Sequence, residues 1–245
     1  MRTNLGGQVP GYREAFTRQP VRPHRLGRRI ALGLLAAASL NCCGAFAARS
    51  EQPTATIRVR VFNYTRATRA TVAAAERGAG QILRDAGLNV IWMDCRFGES
   101  LDNPSGPCQQ PLSPTEVLLR VLSDRHRNGI ADDAFGFAVP PLLANVYYEH
   151  VTRLAKIEGY EVTPILAGII AHEIGHLMLG TSNHSETGLM QRHWGRIQLQ
   201  LVRCGGLQFT PQQSKLIRAE GQRRMLLEST RNIVASSISH GPPTN

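Results

Sequence analysis

The stretch that most limits what this chain can become runs from Thr163 to Gly180, TPILAGIIAHEIGHLMLG. Thr163 and Pro164 read as the N-cap and first residue of a helix, and Gly180 reads as its stop. Between them nearly every residue is apolar except His172, Glu173 and His176. Burying two imidazoles and a carboxylate in such surroundings is costly unless they are paired or hold a metal. Side chains four apart share one helix face, so His172 and His176 can aim at a single point. Neutral imidazole is a good ligand for zinc. Glu173 projects at an adjacent angle, where it can exchange protons with a water activated by the metal without binding the metal itself. That division of labour is the chemistry behind the H-E-x-x-H spacing. The plain alternative, polar residues satisfied on a helix edge, fits poorly with the apolar residues on either side.

Catalytic zinc normally takes three protein ligands and a water, so one more donor is required. His184 is the nearest downstream candidate: Gly180 ends the helix, and Thr181-Ser182-Asn183 turn the chain back. Glu186 competes with it. A carboxylate farther along is disfavoured, because residues 188–207 contain neither Asp nor Glu.

The segment HEIGHLMLGTSNHSETGLM resembles the metzincin clan of zinc-dependent endopeptidases, and in particular its matrixin-like members, whose pattern is H-E-x-x-H-x-x-G-x-x-H followed by a methionine turn. The resemblance implies that His172, His176 and His184 are the zinc ligands and Glu173 is the general base. It further implies that Gly180 is the helix-ending glycine and Met190 the methionine beneath the metal. Two departures stand out. Gly180 follows His176 by four residues instead of three, and His184 follows it by eight instead of six; a turn longer by two residues accounts for both. The resemblance also implies that the strand around Asn145-Val146-Tyr147-Tyr148 is the sheet edge bordering the cleft. An extended peptide would pair with that edge, and Tyr147, Tyr148 and His150 would be candidate cleft residues. His193, just after Met190, either lies near the metal or faces solvent, the plainer reading; His126 and His240 are read as surface residues, and Asp132-Asp133 as a solvated turn.

Elsewhere the pattern predicts an α/β protein. ATIRVRVFNY (55–64) alternates as a strand and residues 67–86 carry helical periodicity up to Gly87. NVIWMD (89–94) reads as a second strand, completing a strand–helix–strand unit of parallel type. EVLLRVL (116–122) is a third strand, and AFGFAVP (134–140) and ANVYYEHV (144–151) are further extended segments. A last helix is expected after Thr210-Pro211, with fraying from about Ser236. The expected whole is a mixed twisted sheet packed with the long histidine-bearing helix and a backing helix, zincin-like, with a C-terminal helix, forming one domain over residues 55–235.

Residues 1–47 read as an export signal. Arginines precede the apolar run IALGLLAAASL (30–40), and Ala45-Phe46-Ala47 has the form of a signal peptidase site. The run falls well short of the ~20 residues a spanning helix needs, so no stable membrane span is expected. Residues 48–54 read as a short flexible lead-in. Seven arginines and one glutamate within residues 1–47 account for +6 of the formal +10. What remains carries no basic cluster interleaved with aromatics, which argues against nucleic acid as a partner. In an exported protein, Cys95 and Cys108, bracketing a polar loop, are most simply a disulfide; Cys204 is then left over as an ordinary thiol. The reading is an exported, monomeric zinc metallopeptidase with polypeptide substrates. Its rival is a secreted zinc-binding domain on the same scaffold without turnover.

Overall fold

The computed structural model describes residues 55–95, 106–123 and 134–239. The readings of residues 1–54, Asp132-Asp133, His126 and His240 lie outside these. Strand β1 (Ala55–Asn63) is followed by helix α1 (Arg69–Asp85) and strand β2 (Leu88–Cys95). Thr68 caps α1, its side chain accepting from the Thr71 N–H. Gly87, at φ +86, makes the turn into β2 in a left-handed conformation that favours glycine. β1 and β2 pair in parallel from Ala55 opposite Leu88 to Phe62 opposite Cys95. The helix between them is the crossover that a parallel pair requires.

Strand β3 (Glu116–Leu122) lies parallel to β1 on its other side. Strands β4 (Gly136–Val139) and β5 (Leu143–Tyr147) complete a five-stranded sheet in the order β2-β1-β3-β5-β4. β5 runs parallel to β3, and β4 is antiparallel to β5. Two sequence expectations change here. The edge strand is β4, not the segment around Asn145, which lies between β3 and β4. The extended reading of residues 144–151 also fails beyond Tyr147, because helix α2 (Tyr148–Glu158) begins there. Tyr147 is buried in the sheet, and Val151 and Ala155 turn the buried face of α2 inward.

The histidine-bearing helix, α3 (Val162–Leu179), has its N-cap at Glu161 and not at Thr163. Pro164 therefore falls within the first turn, where its missing N–H costs nothing. By length and composition α3 could cross a membrane, yet it is mostly buried within the protein as a core helix. α1 packs along it so closely that a Cβ on Gly78 would lie 2.8 Å from Ala167 Cβ. Ile57, Val59 and Val61 of β1 are fully or almost fully buried beneath the helices, joined in the core by Val117, Leu119 and Val121 of β3. Helix α4 (Arg196–Arg203) and helix α5 (Pro211–Ser239) follow. Thr210 and Gln213 cap α5 reciprocally, each side chain meeting the other's backbone N–H. Gly221 of α5 sits against Ala55 and Leu88, so the helix crosses the start of the sheet at close range. Cys95 and Cys108 form the expected disulfide, with Cα atoms 5.8 Å apart.

Candidate metal centre and cleft

α3 brings His172 and His176 onto one face, with Nε2 atoms 3.1 Å apart. Each ring is oriented from its other side. His172 Nδ1 lies 2.8 Å from the Leu189 carbonyl and His176 Nδ1 lies 2.8 Å from the Thr181 carbonyl. Carbonyls only accept, so both Nδ1 atoms carry the proton and both Nε2 atoms present lone pairs. The helix ends at Gly180, φ +65, and the chain then turns tightly. The Asn183 N–H donates to Thr181 Oγ1, and the Ser185 N–H donates to the Met190 carbonyl at 2.8 Å. This turn carries His184 back to the helix. Its ring centre lies 5.3 Å from that of His172 and 4.9 Å from that of His176. One ligand atom from each of the three lies within 4.8 Å of the others. Glu186, the rival donor, is exposed outside this group.

The donor set fits a zinc ion: three imidazoles, two of them locked in the tautomer that offers Nε2. Their protonation state fits as well. Burial, with His176 and His184 as neighbours, pushes His172 down to about 3. Burial also lowers His176 and His184, the latter further depressed by His176, Arg192 and His193. Metal binding needs neutral imidazole, and the site favours it.

Glu173 stands beside this group, 5 % exposed, and its Oε2 has no hydrogen-bond partner. A buried carboxylate oxygen without a partner is costly, and burial pushes the carboxyl up to about 8. Its neighbour is the edge strand: a Cβ on Gly136 would lie 2.8 Å from Glu173 Oε1. Met190 is buried, and its Sδ would lie 2.8 Å from a Cβ on Gly175, which precedes His176 in α3.

His172, Glu173 and His184 open onto a cleft of about 380 Å³. One wall is Ala134, Phe135 and Gly136, leading into β4; another is Gln191 to Trp194. His150 lines the cleft as a sequence candidate, its Nδ1 donating to the Ala134 carbonyl at 3.0 Å and its ring 4.6 Å from that of Phe135. Tyr147 is buried and Tyr148 is not among the lining residues. His193, read as facing solvent, is exposed and also lines the cleft. Cys204 is an exposed thiol at the end of α4.

Sequence reasoning missed Trp194. Its Nε1–H donates to the Leu189 carbonyl at 3.3 Å, the same oxygen that orients His172. Its ring lies edge-on to His172 at 6.1 Å, and its Cη2 would be 2.9 Å from a Cβ on Gly168. The indole thus fills the space between α3 and the turn, which only a glycine at position 168 leaves open.

No protein-family model matches this chain, and no curated protein matches it. Among solved structures it is similar to a zinc-dependent peptidase from Methanocorpusculum labreanum. That match has 18% identity and a TM-score of 0.43, covering 65% of this chain and 99% of the other. It is also similar to archaemetzincin from Methanopyrus kandleri, at 16% identity and a TM-score of 0.39, covering 70% of this chain and 96% of the other. The fold and the site define this chain as an α/β protein with a three-histidine metal-binding group at one end of a mixed sheet.

Proposed function

We propose that this chain is an exported zinc-dependent endopeptidase. The observation that carries the reading is the convergence of His172, His176 and His184 beside a buried carboxylate, in a cleft bordered by a sheet edge. The longer turn after His176, the main point in favour of a non-catalytic scaffold, still returns His184 to the group. Zinc held by the three imidazoles supplies Lewis acidity toward a carbonyl and toward water.

The rest is the work of the chain. β4 has one side paired with β5 and the other side unpaired by any described strand, so an extended peptide can add to it through backbone hydrogen bonds. That places a scissile bond alongside Gly136 and Glu173. Glu173 Oε2 takes a proton from the attacking water and delivers it to the leaving amine nitrogen. A carboxyl raised to about 8 is a stronger base than an ordinary one, and a value near working pH suits a group that must both accept and donate. Ile169 and Trp194 supply apolar wall to the cleft, which strengthens the electrostatics inside it. Export is supported by the arginine-led apolar segment ending at Ala47 and by the Cys95–Cys108 bridge, a bond at home in oxidising compartments.

The test uses protein beginning at Ala48, with metal content and cleavage of a mixed peptide library as readouts. Wild type is expected to hold one zinc and cleave, Glu173→Ala to hold zinc without cleaving, and His184→Ala to lose metal. A zinc-loaded wild type that cleaves nothing in the library favours the non-catalytic scaffold.

A further inference from the structure

The cleft carries one charged side chain that the peptidase chemistry does not use. Glu173, the base, is the one acidic residue among the described lining residues, and it stands beside Gly136. On the wall formed by Gln191 to Trp194 stands Arg192, exposed and forming no ion pair with any described residue. Its backbone is held from both sides. Before it, the Leu189 N–H donates to the Gln208 carbonyl and the Met190 carbonyl accepts from the Ser185 N–H, each at 2.8 Å. After it, the Trp194 indole donates back to Leu189. Gln191, next to it, is tied to the Glu186 carbonyl. The root of the arginine is therefore fixed at the cleft wall, and no described residue holds its guanidinium in an ion pair.

We propose that Arg192 determines specificity in this cleft by binding a carboxylate on the substrate residue next to the scissile bond, an inference that rests on the peptidase reading above. Guanidinium offers a planar fork of donors that matches a carboxylate in two parallel hydrogen bonds. A lysine or arginine in the same substrate position meets like charge, which adds discrimination against basic peptides. The carboxylate has two possible sources, an internal Glu or Asp side chain or the terminal carboxylate of a short peptide.

The experiment uses zinc-loaded protein and fluorescent peptides of one sequence, carrying Glu, Gln or Lys at each position in turn. A second series has neutral side chains and ends in either a carboxylate or an amide. Cleavage is read as kcat/KM. Binding is read by anisotropy with the Glu173→Gln variant, which keeps the cleft and removes the base. Wild type is expected to favour Glu over Gln at one position by about tenfold, the scale of one partly exposed charge-assisted contact. Arg192→Ala should abolish that preference with the Tm and zinc content unchanged, and Arg192→Glu should invert it toward Lys. A preference confined to the carboxylate-ended series assigns the anion to the peptide terminus. Equal cleavage of Glu and Gln peptides, unchanged in Arg192→Ala, overturns the proposal and leaves the peptidase reading standing. Arg192-dependent binding of Glu peptides without any cleavage upholds carboxylate recognition and overturns the peptidase. Neither binding nor cleavage overturns both.

Discussion

Gly136 occupies a position where one methyl group has nowhere to go: its Cβ would meet Glu173 Oε1 at 2.8 Å and Cδ at 2.9 Å. Its nearest neighbour would be the Asn145 carbonyl of β5, so β4 must move as well as the carboxylate. Because displacements near 1 Å at reacting groups cost up to about a hundredfold in rate, Gly136→Ala should lower kcat by about tenfold or more while zinc content stays at the wild-type level. Steady-state kinetics beside metal analysis checks this; a kcat within twofold of wild type removes Gly136 from the argument. Trp194 acts differently, through the carbonyl that orients His172. Trp194→Phe keeps most of the packing against Gly168 and deletes the donor to Leu189. Partners of metal ligands are worth about 10–100-fold in affinity, so zinc affinity, measured by competition with a chelator, should fall by about tenfold with little change in Tm. His172, Glu173 and His176 were legible because helix periodicity alone sets their geometry. Gly136 had a weaker signal, a lone glycine inside a strand pattern, which marks close backbone approach. Trp194 had no signal, since its partner oxygen is fixed by a turn that local sequence does not encode.

Elements announced themselves where local chemistry and tertiary packing agree. α1 was legible from its apolar periodicity up to Gly87, α5 from Thr210-Pro211 at its start, and β1, β2 and β3 from apolar β-branched runs that the sheet buries. α2 was not, because Tyr147-Tyr148 and the valines beside them favour a strand on propensity. Val151, Leu154 and Ala155 at helical spacing, with Gly159 as a left-handed stop at φ 68, were the signal for helix that the aromatics outweighed. The edge position was missed for a related reason: strand order depends on crossovers that no single segment contains. α3 carries its own test of packing. A Cβ on Gly175 would meet Phe209 Cε1 at 2.6 Å and Met190 Sδ at 2.8 Å. Replacing a helix glycine by alanine ordinarily stabilises by about 1 kcal/mol, and overpacking a closed core costs about 1–3 kcal/mol. Phe209 is a rigid ring nearly buried, so the cost wins. Gly175→Ala should therefore lower the Tm by a few degrees, as read by circular dichroism, and a raised Tm would mean that the ring and the thioether yield without loss.

Across the whole molecule, the sheet is pinned to the disulfide-bearing connection by one buried ionic group. Arg58 and Arg60 lie on the face of β1 opposite Ile57, Val59 and Val61, and both bind Glu116 of β3, Arg58 at 2.9 Å. Glu116 also accepts from the Ser113 N–H, and Arg60 donates to the Gln110 carbonyl, so the chain between Cys108 and β3 is tied to the same carboxylate. Burial pushes Glu116 up, but the Ser113 N–H and the two guanidiniums outweigh it and hold the carboxyl below its ordinary value of 4.5. A carboxyl depressed by folding contributes stability that is complete above its unfolded value and is lost as pH falls through its folded value. Removing one partner of a buried pair leaves the others without their counter-charge, at a cost of about 3 kcal/mol. Glu116→Gln should therefore be less stable than wild type at pH 7. The gap should narrow as pH falls below about 4.5, because wild type alone then loses the carboxylate. Urea melts of chelator-treated protein at a series of pH values separate this from metal release, since both proteins then lack zinc and share the same histidines. A gap that stays constant from pH 7 to pH 3 would show that the carboxylate's charge contributes nothing and that the arginines are held by their carbonyl contacts alone.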